Sequence, residues 1–296
     1  MVNQRKRVVN QRKRVVNQRK RVVERRKRVV ERRKRVFDNR RLDSSRLDPA
    51  VLREDMVDSL EHEAKAVLSD EAVGVAMREV PREAFVPDGA EAYADRDYAH
   101  LGTRVLAPSE VARLLQALAP EPGDSTLVVG AGVGYTVAVL AELVGERNVH
   151  AVDIARPVVY AARENLARAG YDGVLVDCRD GSRGLADYAP FDRILVEAAV
   201  ARPPPTLRSQ LTDVGRLVVP LGLGSQRLAV VDAQGSVDER ETVSFDPLLV
   251  DGEQTGAIER NRTAREDVEH ARRRAERSRG WEQEWIEWED RSRVGR

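Results

Sequence analysis

Three glycines stand where an apolar run gives way to helical spacing, in "LVVGAGVGYTVAVLAEL": Gly130, Gly132 and Gly134. Glycines at the end of a strand let the backbone turn sharply and approach a ligand with no β-carbon in the way. Asp153, in "VHAVDIA", ends the next apolar run, where a carboxylate can accept hydrogen bonds from both hydroxyls of a ribose. The pair describes a nucleoside-containing cofactor held at the carboxyl ends of two neighbouring strands. A glycine loop alone is also compatible with a tight turn that holds nothing.

The spacing separates cofactor classes. The dinucleotide pattern G-x-G-x-x-G fails because residue 135 is tyrosine, whereas G-x-G-x-G suits S-adenosyl-L-methionine, which has no pyrophosphate to cradle. Further on, "CRDGSRG" places Asp180 and Gly181 after a third strand, where a carboxylate can meet the exocyclic amine of adenine. Gly130, Ala131, Gly132, Gly134, Asp153, Ile154, Asp180 and Gly181 form the expected cofactor site. A fourth strand, "PFDRILVEAA", ends beside the same pocket at Glu197.

These residues need a parallel sheet to gather them. From Thr126 onward, β-rich runs alternate with amphipathic segments: "TLVVG", "YTVAVLAELVG", "NVHAVDI", "PVVYAARENLARAG", "GVLVD" and "FDRILVEAA". Then come a helix-like "PTLRSQLTD" and the strands "GRLVVPLG", "RLAVVDA" and "RETVSFDPLLV". The expected fold is α/β and Rossmann-like, a mostly parallel seven-stranded sheet with helices on both faces. Ahead of it, "DPAVLREDMVDSLEHE", "SDEAVGVAMREV" and "APSEVARLLQALAP" read as helices of a lid. Four regions result: a basic repeat over 1–36, a helical lid over 37–120, the cofactor domain over 121–250 and a charged helical tail over 251–296.

Charge divides the chain as sharply as pattern does. One seven-residue unit is written five times from Val2 to Val36, and residues 1–36 hold 17 Lys+Arg against two glutamates, a local charge of +15. With a whole-chain charge of +1, the rest stands at −14. The paired valines lack the three-and-four alternation of a coiled-coil seam, so the repeat reads as a disordered arm, a recent duplication or a mis-placed start. Nucleic-acid binding rests on this arm alone. Outside it Lys65 is the only lysine amid abundant carboxylates, which suits solubility in high salt and a halophilic host.

Other classes are disfavoured. No run approaches a membrane span and no signal segment opens the chain, so the expected location is cytoplasmic. One cysteine, Cys178, and four scattered histidines give no metal-ligand spacing, and Cys178 reads as a small apolar strand residue. His100 is the histidine beside the lid loop. Trp281, Trp285 and Trp288 share one face of the tail helix, which could dock on the body or on an oligomeric partner.

The segments "VPREAFVP", "AYADRDY", "VVGAGVGYTVAVLA", "DGSRGL", "PFDRILVEAA", "QLTDVGRLVVPLG" and "VSFDPLL", in that order, resemble the protein-L-isoaspartate O-methyltransferases from about Val57 to Val250. The resemblance implies S-adenosyl-L-methionine as cofactor and methylation of the free α-carboxylate of isoaspartyl residues in damaged proteins. Such a reaction asks for positioning and exclusion of water more than for proton transfer. Three positions depart from the family pattern. Leu106 replaces the serine of a "GQTIS" segment, Val128 an acidic residue, and Glu197 a small or hydroxyl residue. Thr103 and Arg104 are then the candidates for contacting the acceptor, Arg104 through a bidentate pair. Two other readings stay open: a methyltransferase with another acceptor, and a cofactor-binding pseudoenzyme acting through a protein partner.

Overall fold

The computed structural model describes residues 48–62, 66–87, 91–222 and 224–250. The basic repeat and the tryptophan-bearing tail lie outside these residues.

The lid begins with α1 (Pro49–Glu61) and α2 (Glu71–Glu79). Asp70 caps α2, its side chain accepting from the backbone N–H groups of Ala72 and Val73. Arg78 on α2 ties back to α1 through Asp58 and Glu61 at 2.6 and 2.8 Å. A 3-10 turn, Arg82–Ala84, follows.

The lid is not wholly helical. Tyr98–His100 (β1) and Thr103–Val105 (β2) form an antiparallel hairpin with His100 opposite Thr103. Its two-residue turn, Leu101-Gly102, has φ of +50° and +79°, the twist a tight hairpin requires. Leu-Gly lacks the Asn-Gly signature, and the hairpin adds two strands between the helices expected of this region. Helix α3 (Pro108–Leu118) then returns the chain to the body, opened by its proline.

The body alternates as expected: β3 (Thr126–Val129), α4 (Tyr135–Val144), β4 (Val149–Asp153), α5 (Arg156–Ala169), β5 (Leu175–Cys178), β6 (Phe191–Val196), α6 (Pro205–Arg208), then β7 (Leu211–Leu221), β8 (Gln226–Asp232) and β9 (Val237–Val243). The sheet order is β5-β4-β3-β6-β7-β8-β9, parallel from β5 to β7 and antiparallel from β7 to β9. Alternate residues feed two cores. Val128, Leu195 and Val218 face one, with the lid helices, α3, α4 and α5, while Leu127, Val129, Ile194 and Val196 face the other.

Two boundaries moved for identifiable reasons. The helix expected over 205–213 stops at Arg208, because Phe191 N–H donates to the Gln210 carbonyl at 2.8 Å and Leu211 already pairs with Phe191. Strand β9 ends at Val243 rather than running to Val250. There Phe245 leaves the ladder, its N–H donating to Gln226 Oε1 at 2.7 Å and its carbonyl accepting from Gln226 Nε2 at 2.9 Å.

Candidate functional site

The chain runs β3, β4, β5 outward on one side, then returns to place β6 on the other side of β3. Such a reversal opens a crevice at the carboxyl ends of the strands, because the loops there diverge. The glycine loop, Asp153 and Glu197 all stand on that edge.

Gly130 and Ala131 N–H both donate to the Val152 carbonyl, at 2.9 and 3.0 Å, pinning the loop to β4. Gly130, Gly132 and Gly134 all have positive φ, but their missing β-carbons do different work. A Cβ on Gly132 would come into ordinary contact, 3.9 Å from Thr103 Oγ1 and 4.0 Å from the Arg104 carbonyl oxygen, so β2 of the hairpin lies directly over this glycine. On Gly134 it would stand 3.2 Å from Leu166 Cγ, so this glycine admits the contact between α4 and α5. On Gly130 it would lie 3.5 Å from Glu197 Cβ.

Asp153 locks the loop from β4. Its Oδ2 accepts from Gly132 N–H at 3.1 Å and its Oδ1 from Ala155 N–H at 2.9 Å. Burial raises its pKa, opposed by those backbone donors. With Ile154 N–H as a third backbone donor, the carboxylate still has acceptor capacity for a hydroxyl. Ile154 follows directly, its carbonyl 3.8 Å from Cys178 Sγ. Cys178 itself ends β5 opposite Asp153, the strand position expected of it, and is exposed.

Asp180 is buried, but its carboxylate is already engaged. Oδ1 accepts from Ser182 N–H at 2.9 Å and from its hydroxyl at 2.7 Å, while Oδ2 lies 3.9 Å from Arg183 Nε. Gly181 is obligatory for packing, since a Cβ there would strike Val129 Cγ1.

Above the loop, Thr103 and Arg104 belong to β2. The Arg104 guanidinium is spoken for within the chain: Nη2 donates to the Ser244 carbonyl at 2.7 Å and lies 3.5 Å from Glu110 Oε1, and Nη1 lies 3.4 Å from Asp97 Oδ2. It also sits 5.4 Å from the centre of the Phe245 ring. An acceptor carboxylate would have to compete with these partners, so the free bidentate fork expected of Arg104 is not what the geometry presents. Leu106 is buried, and Val128 lies in the core of β3. His100 pairs in the hairpin opposite Thr103.

Two residues here matter more than their local sequence announced. Arg82 is fully buried, donating from Nε to the Ala92 carbonyl at 2.8 Å and from Nη2 to the Leu106 carbonyl at 2.7 Å. Its guanidinium lies 4.5 Å from the centre of the Tyr135 ring, at the first residue of α4. One side chain thereby joins both lid loops to the helix behind the glycine loop. Glu197 is the other. Its N–H donates to the Val129 carbonyl at 2.9 Å, and its Oε1 is enclosed without a hydrogen bond. Burial, with Glu110 and Asp153 nearby, pushes its pKa up to about 8 against the opposing pull of Thr136 and Arg104.

Among the described residues no acidic, histidine or cysteine cluster could hold a metal, and no helix is long and apolar enough to cross a membrane.

Comparisons with known proteins agree with this geometry. Residues 52–254 match the family described as protein-L-isoaspartate(D-aspartate) O-methyltransferase. The protein-L-isoaspartate O-methyltransferase of Aeropyrum pernix is 45% identical over 186 residues, covering 59% of this chain and 71% of that protein. That of Methanocella arvoryzae is 42% identical over 181 residues, covering 58% and 96%. A solved protein-L-isoaspartate O-methyltransferase superposes with a TM-score of 0.58 at 26% identity, covering 65% of this chain and 64% of its own. A Plasmodium falciparum structure, described as a complex with S-adenosyl-L-homocysteine, superposes with a TM-score of 0.59 at 21% identity, covering 67% and 98%.

Proposed function

The chain belongs to the protein-L-isoaspartate O-methyltransferase family, and from that membership we infer that it methylates isoaspartyl residues of damaged proteins with S-adenosyl-L-methionine. The observation that carries this reading is the family match over residues 52–254, which takes in the lid, the glycine loop and every strand of the large sheet.

The cofactor fits the residues present. Gly132 carries no side chain between the loop and Thr103, and the Asp153 carboxylate, with backbone donors at Gly132, Ile154 and Ala155, retains acceptor capacity. When bound, S-adenosyl-L-methionine supplies a methyl group on a sulfonium sulfur. In our assignment Gly130, Ala131 and Gly132 flank its methionine end, Asp153 receives the ribose hydroxyls, and Ile154, Asp180 and Gly181 border the adenine. Gly134 serves by setting α4 against α5. Asp180 borders the adenine with a carboxylate already engaged by Ser182 and facing Arg183.

The acceptor is a carboxylate, already ionised at neutral pH, so the chain's contribution is alignment and exclusion of water. Thr103, facing Gly132 from the hairpin, is the loop hydroxyl we assign to the acceptor. Arg104 borders that position with its charge largely committed to Asp97, Glu110 and the Ser244 carbonyl. Leu106, at the place of a family serine, supports a second reading in which the acceptor differs. We further propose a cytoplasmic, salt-adapted enzyme, on the −14 charge of residues 37–296.

Methyl transfer from radiolabelled cofactor to an isoaspartyl peptide, with its aspartyl twin as control and KCl at high concentration, tests the assignment. Base-labile label on the isoaspartyl peptide alone is the expected result. Bound cofactor without such transfer would overturn repair as the activity.

A further inference from the structure

Glu197 is a carboxylic side chain at the one edge of the sheet where the reaction must occur, and the functional reading above gives it nothing to do. It follows β6 directly, anchored by its N–H to the Val129 carbonyl, and its backbone and Cβ lie against Gly130 of the glycine loop. The groups that act on it come from four elements: Thr136 on α4, Glu110 on α3, Asp153 on β4 and Arg104 on β2. Its Oε1 is enclosed and unpaired. An enclosed polar atom without a partner costs stability unless a ligand completes it.

We propose that Glu197, in its acid form, is the hydrogen-bond donor that orients the acceptor carboxylate, in place of the loop hydroxyl that Leu106 lacks. The inference rests on the methyltransferase reading. One acceptor oxygen takes the Glu197 O–H and the other is left to attack. The new bond joins that oxygen to the methyl carbon, the methyl–sulfur bond breaks, and its electron pair goes to sulfur. The Glu197 proton stays where it is throughout. Ionised, the same side chain would set two carboxylates face to face, with Arg104 held by Asp97, Glu110 and Ser244. The enclosed carboxyl, with a pKa pushed up to about 8, keeps its proton at neutral pH.

The test compares the full chain with Glu197→Gln and Glu197→Ala. For each, kcat/KM on an N-acetylated isoaspartyl peptide is measured across roughly pH 6 to 10, alongside affinity for S-adenosyl-L-homocysteine. The wild type should lose about tenfold per pH unit above a break near or beyond pH 8, as one ionisation removes the donor. Glu197→Gln keeps an N–H donor and should be flat over that range. Glu197→Ala should lose at least about tenfold at pH 7 with S-adenosyl-L-homocysteine affinity unchanged. Peptide affinity for the S-adenosyl-L-homocysteine complex should show the same break in the wild type and none in Glu197→Gln, which reads the contact without turnover. An identical break in Glu197→Gln, or wild-type kcat/KM in Glu197→Ala, overturns the proposal. So does a parallel loss of S-adenosyl-L-homocysteine affinity, which would make Glu197 a cofactor group. Absence of wild-type methylation at pH 7 is a different result, and it overturns the parent reading.

Discussion

The Arg82 guanidinium donates to the carbonyl oxygen of Leu106 at 2.7 Å, from a position with no exposure to solvent. The same side chain holds the Ala92 carbonyl and lies against the Tyr135 ring, so the loop carrying the altered acceptor position is tied to the glycine-loop helix through one residue.

Replacing that residue should therefore cost more than one hydrogen bond. Arg82→Lys keeps a charge but cannot span two carbonyls in fixed geometry. We expect it to destabilise the fold by roughly 2 kcal/mol or more, read as a lower denaturation midpoint at unchanged slope. Acceptor KM should rise more than cofactor Kd, because the lid loops lose their common anchor.

Two glycines in one site should fail in different ways. Gly181→Ala drives a β-carbon into Val129 in the core and should lower stability by about 2 kcal/mol or more. Gly132→Ala brings a β-carbon only into ordinary contact with Thr103 at a φ of +51°, so its cost to the fold is that of backbone strain, about 1 kcal/mol. Its larger effect should be on S-adenosyl-L-homocysteine affinity, with a loss of tenfold or more by calorimetry.

Glu197 should also leave a signature in stability against pH. Its folded pKa is raised to about 8 from an ordinary 4.5, so between those values the folded state holds a proton that the unfolded state has released. Stability then falls as pH rises through that window, by about 1.4 kcal/mol per unit at most, and the dependence ends above the folded value. Glu197→Gln should remove this slope, leaving the variant comparatively more stable at pH 9 than at pH 5. Parallel profiles for the two proteins would show that the carboxyl is ionised in the fold.

Removal of residues 1–36 subtracts +15 and should leave S-adenosyl-L-homocysteine affinity within about twofold, since the family match begins at residue 52. The truncated protein, at −14, should gain more stability from added KCl than the full chain does, measured by thermal unfolding against salt.

Much of the architecture was legible because its signals are local. Continuous apolar runs and amphipathic stretches alternate over 126–233, and each follows from neighbours a few residues away. The glycine loop and Asp153 were legible for the same reason. The β1–β2 hairpin was not, because its Leu-Gly turn carries no recognised signature. Nor was the end of the helix at Arg208, where pairing of Leu211 with Phe191 outweighs helical spacing.

The amino-acid sequence by itself determined the order of strands and helices from Thr126 onward, the cofactor class suggested by Gly130, Gly132 and Asp153, and the split into a basic arm and an acidic body. Only the tertiary structure decided what individual polar groups do. In a chain that is 33% charged, Arg82 and Glu197 look like any other surface residues. Arg82 differs because the carbonyls it holds lie 10 and 24 residues away. Glu197 differs because its Oε1 is enclosed and groups on four separate elements act on its charge. Desolvation and long-range partners settle a charged group's role, and neither is written in the residues beside it.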